Sequence, residues 1–135
     1  MVKAKKVALW VLTVLLAVAF LGAGGSKLAG AAPHPESFAR WGFPLWFMYV
    51  TGAIEVVAAL LLLVPRTATL GAGLYVGTMV GAVLTHLKAG EAAQVGAPIV
   101  FLVLATVVGL ARRHEVLAPF NRFFARGGPS EQVRA

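Results

Sequence analysis

The chain has 135 residues, 59% hydrophobic and 13% charged, with no cysteine and a formal net charge of +7. A soluble domain carries roughly twice that charged fraction, and here the apolar residues run in long blocks, so the composition specifies a compact membrane protein. Lack of cysteine excludes disulfides, thiol exchange and thiolate metal ligation. The basic residues sit at block ends and form no stripe, which argues against a nucleic-acid surface.

A helix crosses the hydrocarbon core with about 20 apolar residues, or ~17 at the lower limit. The first block, Val7–Gly25, has Thr13 as its sole hydroxyl and predicts a spanning helix. Its basic start and the LAGAA that follows also resemble a secretory signal. The apolar run of 19 residues exceeds a signal core, so an uncleaved first helix is expected.

The loop that follows, Ser26–Phe43, contains HPESFARWG. Pro35 sits where a helix starts, Glu36 and Arg40 are spaced as an i,i+4 surface pair, Phe38 and Trp41 share a face, and Gly42 is a stop. These predict a short helix lying over the bundle. Trp41, Phe43, Trp46, Phe47 and Tyr49 cluster where aromatic rings settle at headgroup level, with Trp10 at the opposite interface.

The second block, Leu45–Val64, holds a single charge, Glu55. A carboxylate at mid-bilayer costs ~3 kcal/mol on insertion scales. Its i±3 and i±4 neighbours Thr51, Gly52, Ala58 and Ala59 are all small, so this face belongs against another helix and Glu55 should point into the bundle. Lys27 and His86 are the nearest candidate cations, about 10–15 Å above it by residue count. Without them the carboxyl would stay protonated and bond a backbone carbonyl or Thr78.

Pro65-Arg66-Thr67 ends the second helix in a tight turn. The third block, Leu70–Leu87, carries Gly73, Gly77 and Gly81 four residues apart, a row expected to pack against another helix and to face Glu55. The fourth block, Val95–Ala111, completes a four-transmembrane-helix bundle of all-α class. The domain reading is one membrane unit over residues 1–111, with helices at about 7–26, 45–64, 69–87 and 95–111. A tail follows over 112–135, amphipathic around Phe120, Phe123 and Phe124 and disordered at its end.

Nine basic residues flank one side (Lys3, Lys5, Lys6, Arg66, Arg112, Arg113, Arg122, Arg126, Arg134) and three the other (Lys27, Arg40, Lys88). The positive-inside rule therefore puts both termini in the cytoplasm. Broken-helix pairs and inverted repeats are absent, which disfavours a transporter. His34, His86 and His114 stand on separate segments, so no metal or haem is expected; His34 reads as a loop residue.

Taken in order, GGSKL, RWGFPLW, GAIEVVAALLLLVPRT and MVGAVLTHLKAG resemble the DoxX-like family of small four-helix bacterial membrane proteins, over about residues 20 to 110. The family's recurrent polar positions fall here on Lys27, Glu55, Arg66 and His86. Some of its members resemble membrane subunits of a thiosulfate:quinone oxidoreductase, others resemble partners of redox enzymes, and distant animal relatives look like assembly chaperones. The resemblance implies a multi-pass protein of the bacterial plasma (inner) membrane, and an accessory or subunit of a quinone-linked system more than an independent enzyme. It would bind a small lipophilic ligand, a quinone being the candidate cofactor, through Glu55, Lys27, His86, Thr78, Trp41, Trp46 and Tyr49. The alternative is a non-enzymatic assembly or scaffold protein that binds another membrane protein through the glycine-rich third helix and the outer cap. Expected partners are the lipid bilayer, a membrane or redox protein and a further copy of the chain, with no nucleic acid.

Overall fold

A computed structural model describes the backbone of residues 2–126 and the side chains of residues 3–113. Expectations about His114, the tail phenylalanines and the last residues lie outside the described side chains. Among the described residues there is no strand. The helices are α1 (Val2–Leu28), α2 (His34–Arg40), α3 (Leu45–Leu63), α4 (Ala68–Lys88) and α5 (Gly96–Arg126), with single 3-10 turns at Pro65–Thr67 and Ala92–Gln94. Among the described residues, four helices are long and apolar enough to cross a membrane. Only 22% to 33% of each span's most apolar stretch is buried within the chain. The apolar surface left over, such as Val11, Leu15, Val57, Leu84 and Val103, requires lipid as its solvent.

The bundle is built from two close pairs, α1 with α3 and α4 with α5, joined where α3 meets α4. Glycine sets each approach. A Cβ on Gly24 would lie 2.7 Å from the Gly52 carbonyl oxygen, and one on Gly52 would lie 2.8 Å from that of Gly24. At the other end a Cβ on Gly71 would meet Leu62 N at 2.6 Å and Ala58 O at 2.7 Å. Gly109 faces Ala72 across the second pair, and Thr69 Oγ1 donates to the Gly109 carbonyl at 3.2 Å. The core between the pairs holds Leu16, Ala17, Phe20, Ala58, Leu62, Tyr75, Ala105 and Val108.

The expected packing row is corrected by these contacts. A Cβ added to Gly73, Gly77 or Gly81 would meet nothing within 4 Å. Gly73 follows Gly71 by two residues, so it is turned about 200° away from the face that packs on α3.

Three helices end alike at the side that carries α2, here named the cap end. Gly30, Gly42 and Gly90 have φ of 67°, 84° and 75°, a left-handed backbone that glycine adopts without steric penalty. After each, the next residue's N–H returns to the carbonyl of the last helical turn: Ala31 to Ser26 at 3.0 Å, Phe43 to Phe38 at 2.9 Å and Glu91 to His86 at 2.8 Å. This return determines which side chains crowd the cap end.

Candidate functional site

The Gly24–Gly52 approach creates the first feature of the site. α1 and α3 run antiparallel, so Glu55 sits beside Gly24 and Lys27 beside Gly52. A Cβ on Gly24 would lie 3.1 Å from Glu55 Cβ and one on Gly52 2.9 Å from Lys27 Cβ, and the lysine stem spans what remains. Lys27 Nζ donates to Glu55 Oε1 at 3.1 Å and Oε2 at 3.0 Å. The Glu55 side chain is 4% exposed and that of Lys27 13%. The expected gap of 10–15 Å therefore does not exist. Counting inward from block ends set the two helices at the wrong relative height, which the Gly24–Gly52 contact fixes instead. Deep burial of a charge requires a partner of this kind.

A cavity of about 790 Å³ opens beside the pair. Its walls include Phe20, Phe47, Tyr75 and Phe101, with Phe38 of α2 and Trp41, which follows that helix, forming its roof. Phe20 and Tyr75 lie face to face with ring centroids 3.3 Å apart. Tyr75 is 0% exposed, within electrostatic reach of Glu55, and its hydroxyl has no hydrogen-bond partner within the protein. A buried hydroxyl is normally satisfied, so the unpartnered Tyr75 oxygen, on a residue of the cavity wall, calls for a partner from outside the chain. Tyr75 was unforeseen in the sequence, where its being the sole tyrosine of the α4 apolar block was the available signal.

The cap end holds a second cluster, and Glu91, also unforeseen, is its centre. Glu91 accepts from Arg40 (Nε at 3.0 Å, Nη2 at 2.8 Å), from Trp41 Nε1 at 3.3 Å and from the His86 ring, Nδ1 to Oε2 at 2.8 Å. A carboxylate offers only acceptors, so Nδ1 carries the proton. The His86 bond holds the Glu91 carboxyl below its ordinary value of 4.5, with Trp41 and Arg40 adding to the effect and partial burial opposing it. The HLKAGE sequence contains the cause. With Gly90 left-handed, the chain doubles back and places Glu91 against the last turn of α4.

Two expectations are corrected here. His86 lines the cavity but bonds Glu91, and not Glu55. Arg40 reaches across to the same carboxylate instead of along its own helix to Glu36.

His34 is half-buried on the cavity wall, its Nε2 2.8 Å from Ser26 Oγ. Burial and the Lys27 charge hold it below the usual 6.5, so it is neutral at physiological pH. Thr78 lines the cavity, yet its hydroxyl donates to Leu74 O of its own helix at 2.8 Å. Trp46 and Tyr49 are 63% and 39% exposed and lie outside the cavity wall, on the face turned to lipid. At the opposite end Arg112 of α5, 1% exposed, donates to Thr13 Oγ1 at 3.1 Å and lies 4.1 Å over the Trp10 ring, tying α5 to α1.

Among the described residues no group of three or more His, Asp or Glu side chains is arranged to hold a metal ion. The chain matches the DoxX-like family over residues 11–108, a span containing every residue of the cavity wall. Over 78 residues it is 37% identical to the uncharacterized protein YdgD of Bacillus subtilis (strain 168), which covers 55% of this chain and 68% of that protein. No solved structure matches.

Proposed function

The chain belongs to the DoxX-like family, and from that premise we propose that this multi-pass membrane protein holds one small lipophilic molecule in the cavity beside Glu55. It does so in the bacterial plasma membrane, as an accessory or subunit of a quinone-linked redox system. The observation that carries this reading is a largely apolar cavity with a neutralised ion pair and an unsatisfied tyrosine hydroxyl on its wall. Ligand sites have that make-up: apolar walls for affinity and a few polar groups for orientation.

A quinone fits the donor set. Phe20, Phe47, Phe101 and Trp41 would flank its ring and tail, and Tyr75 would donate to a ring carbonyl. Lys27 has three N–H donors and directs two at Glu55, leaving one for a ligand oxygen. A bound quinone supplies two-electron, two-proton chemistry; Glu55 is placed to hold or release a proton at a carboxylate oxygen, and Tyr75 and Lys27 to orient the head. The Ser26 hydroxyl beside His34 is also bonded to the Ala23 carbonyl of its own helix, and the role we assign is one of holding a molecule. Organic extraction of the protein, purified in mild detergent, tests this. Quinone should co-purify, and Glu55→Gln should lower both its yield and quinone-linked respiration in membranes. A clean extract together with unaltered respiration in Glu55→Gln rejects the reading.

A scaffold role is the second reading, favoured by one observation: the exposed row Gly73, Gly77 and Gly81 meets no helix of this chain. It calls for a stable membrane partner in a mild-detergent pull-down, lost in Gly77→Leu. Recovery of the chain alone counts against it.

A further inference from the structure

We propose that the cavity is loaded sideways from the bilayer, through the gap between α3 and α4, by a lipophile with an uncharged carbonyl or hydroxyl head. This rests on the ligand-holding reading and adds the route and the head chemistry to it.

The route follows from which wall residues are exposed. Gly71 holds α4 tightly on α3 at Ala58 and Leu62, and towards the cap end the cavity wall takes residues from both helices. There the cavity wall includes Ile54 of α3, 40% exposed, and Leu74 of α4, 41% exposed, together with exposed Gly73, Gly77 and Gly81. Exposure this high on wall residues in the middle of two spanning helices is the ground for placing the mouth on the lipid side. Larger side chains in the glycine row would fill this opening, since the space beside each of its Cβ positions is vacant. From above, α2 covers the cavity, with Phe38 5% exposed and Arg40 and Trp41 bonded to Glu91. The aqueous side is therefore roofed while the lipid side is open.

The head chemistry follows from the polar groups inside. Lys27 and Glu55 neutralise each other. An anionic head would face the Glu55 carboxylate and a cationic head the Lys27 ammonium, each leaving a charge uncompensated in a low-dielectric space. Tyr75 can both donate and accept, which suits a carbonyl or a hydroxyl equally. The Tyr75 hydroxyl, buried and without a protein partner, is the independent sign that this space takes a polar atom.

The test uses Trp41, which lies on the cavity wall, as the reporter. In full-length protein carrying Trp10→Phe and Trp46→Phe it is the sole tryptophan. The protein is reconstituted in vesicles and mixed with vesicles containing decylubiquinone, whose saturable quenching of Trp41 reports loading; dilution with empty vesicles reports release. Gly77→Phe should slow loading and release alike by about tenfold while leaving the final quench close to the parent's, as an obstructed path does. Gly22→Phe, an exposed glycine of α1 outside the cavity wall, should leave both rates unchanged. Excess oleate should fail to displace the probe.

Unaltered rates in Gly77→Phe, or a lost quench reached at the parental rate, overturn the lateral route. Displacement by oleate overturns the uncharged head. Absence of saturable quenching in the parent overturns the ligand-holding reading itself, and the route with it.

Discussion

At the residue scale, the Lys27–Glu55 pair decides whether the centre of this bundle is a liability or a site. Both charges are removed from water, and each is compensated almost entirely by the other. Removing one partner of such a pair strands a buried charge at a cost of about 3–5 kcal/mol, whereas replacing both by apolar groups is often close to neutral. Lys27→Met should accordingly destabilise the protein by about 3 kcal/mol in unfolding titrations, and Lys27→Met/Glu55→Leu should regain most of that loss. A double variant as unstable as the sum of the two singles would show that the residues act separately.

Glu91 lends itself to a pH measurement. Its carboxyl is held below 4.5 in the folded protein, chiefly by the His86 hydrogen bond. A depressed carboxylate contributes stability that is present above its unfolded value and is lost as pH falls through the lower folded value. Acidification from about pH 5 to pH 3 should therefore lower the thermal midpoint of the wild type more than that of Glu91→Gln. Parallel curves for the two proteins would remove the cluster from the stability of the cap end.

At the element scale, small residues do two different jobs in this chain. Gly24 and Gly52 are pressed against each other's backbone, which cannot yield, so alanine at either should cost about 1–3 kcal/mol by forcing α1 off α3. Gly77→Ala enters open space within a helix and should change stability by no more than about 1 kcal/mol, in the stabilising direction. Thermal unfolding of the three variants in one detergent compares them directly, and equal losses at all three would contradict this division.

Four spanning helices were legible because hydrophobic run length translates directly into membrane thickness, and α2 because HPESFARWG carries its own start and stop. The inward orientation of Glu55 was legible from its small neighbours. The relative height of α1 and α3 was not, since it is fixed by where two glycines touch, and run lengths carry no information about that. The glycine row misled because a spacing of four marks a face without saying what that face meets. Glu91 was hidden because its role depends on the left-handed turn at Gly90, through which a loop residue becomes the cap-end partner of His86, Arg40 and Trp41.

At the scale of the whole molecule, the same chain must satisfy two solvents. The outer faces of its helices are apolar all round, as lipid demands, and its described charges are gathered at the two ends or paired inside. Opposite the cap end, Arg112 with Thr13 and Trp10 binds α5 to α1, while Gly71 and Gly109 close the remaining helix junctions. The bundle is thus tight at the end of Trp10 and Arg112 and hollow towards the cap end, where the ion pair, the Tyr75 hydroxyl and the aromatic roof surround one space. Native mass spectrometry of the wild type beside Ala82→Trp, which fills that space from α4, tests the central claim most directly. A single lipophile bound to the wild-type chain and absent from Ala82→Trp is the predicted result. An adduct retained equally by both proteins, or found on neither, would contradict it.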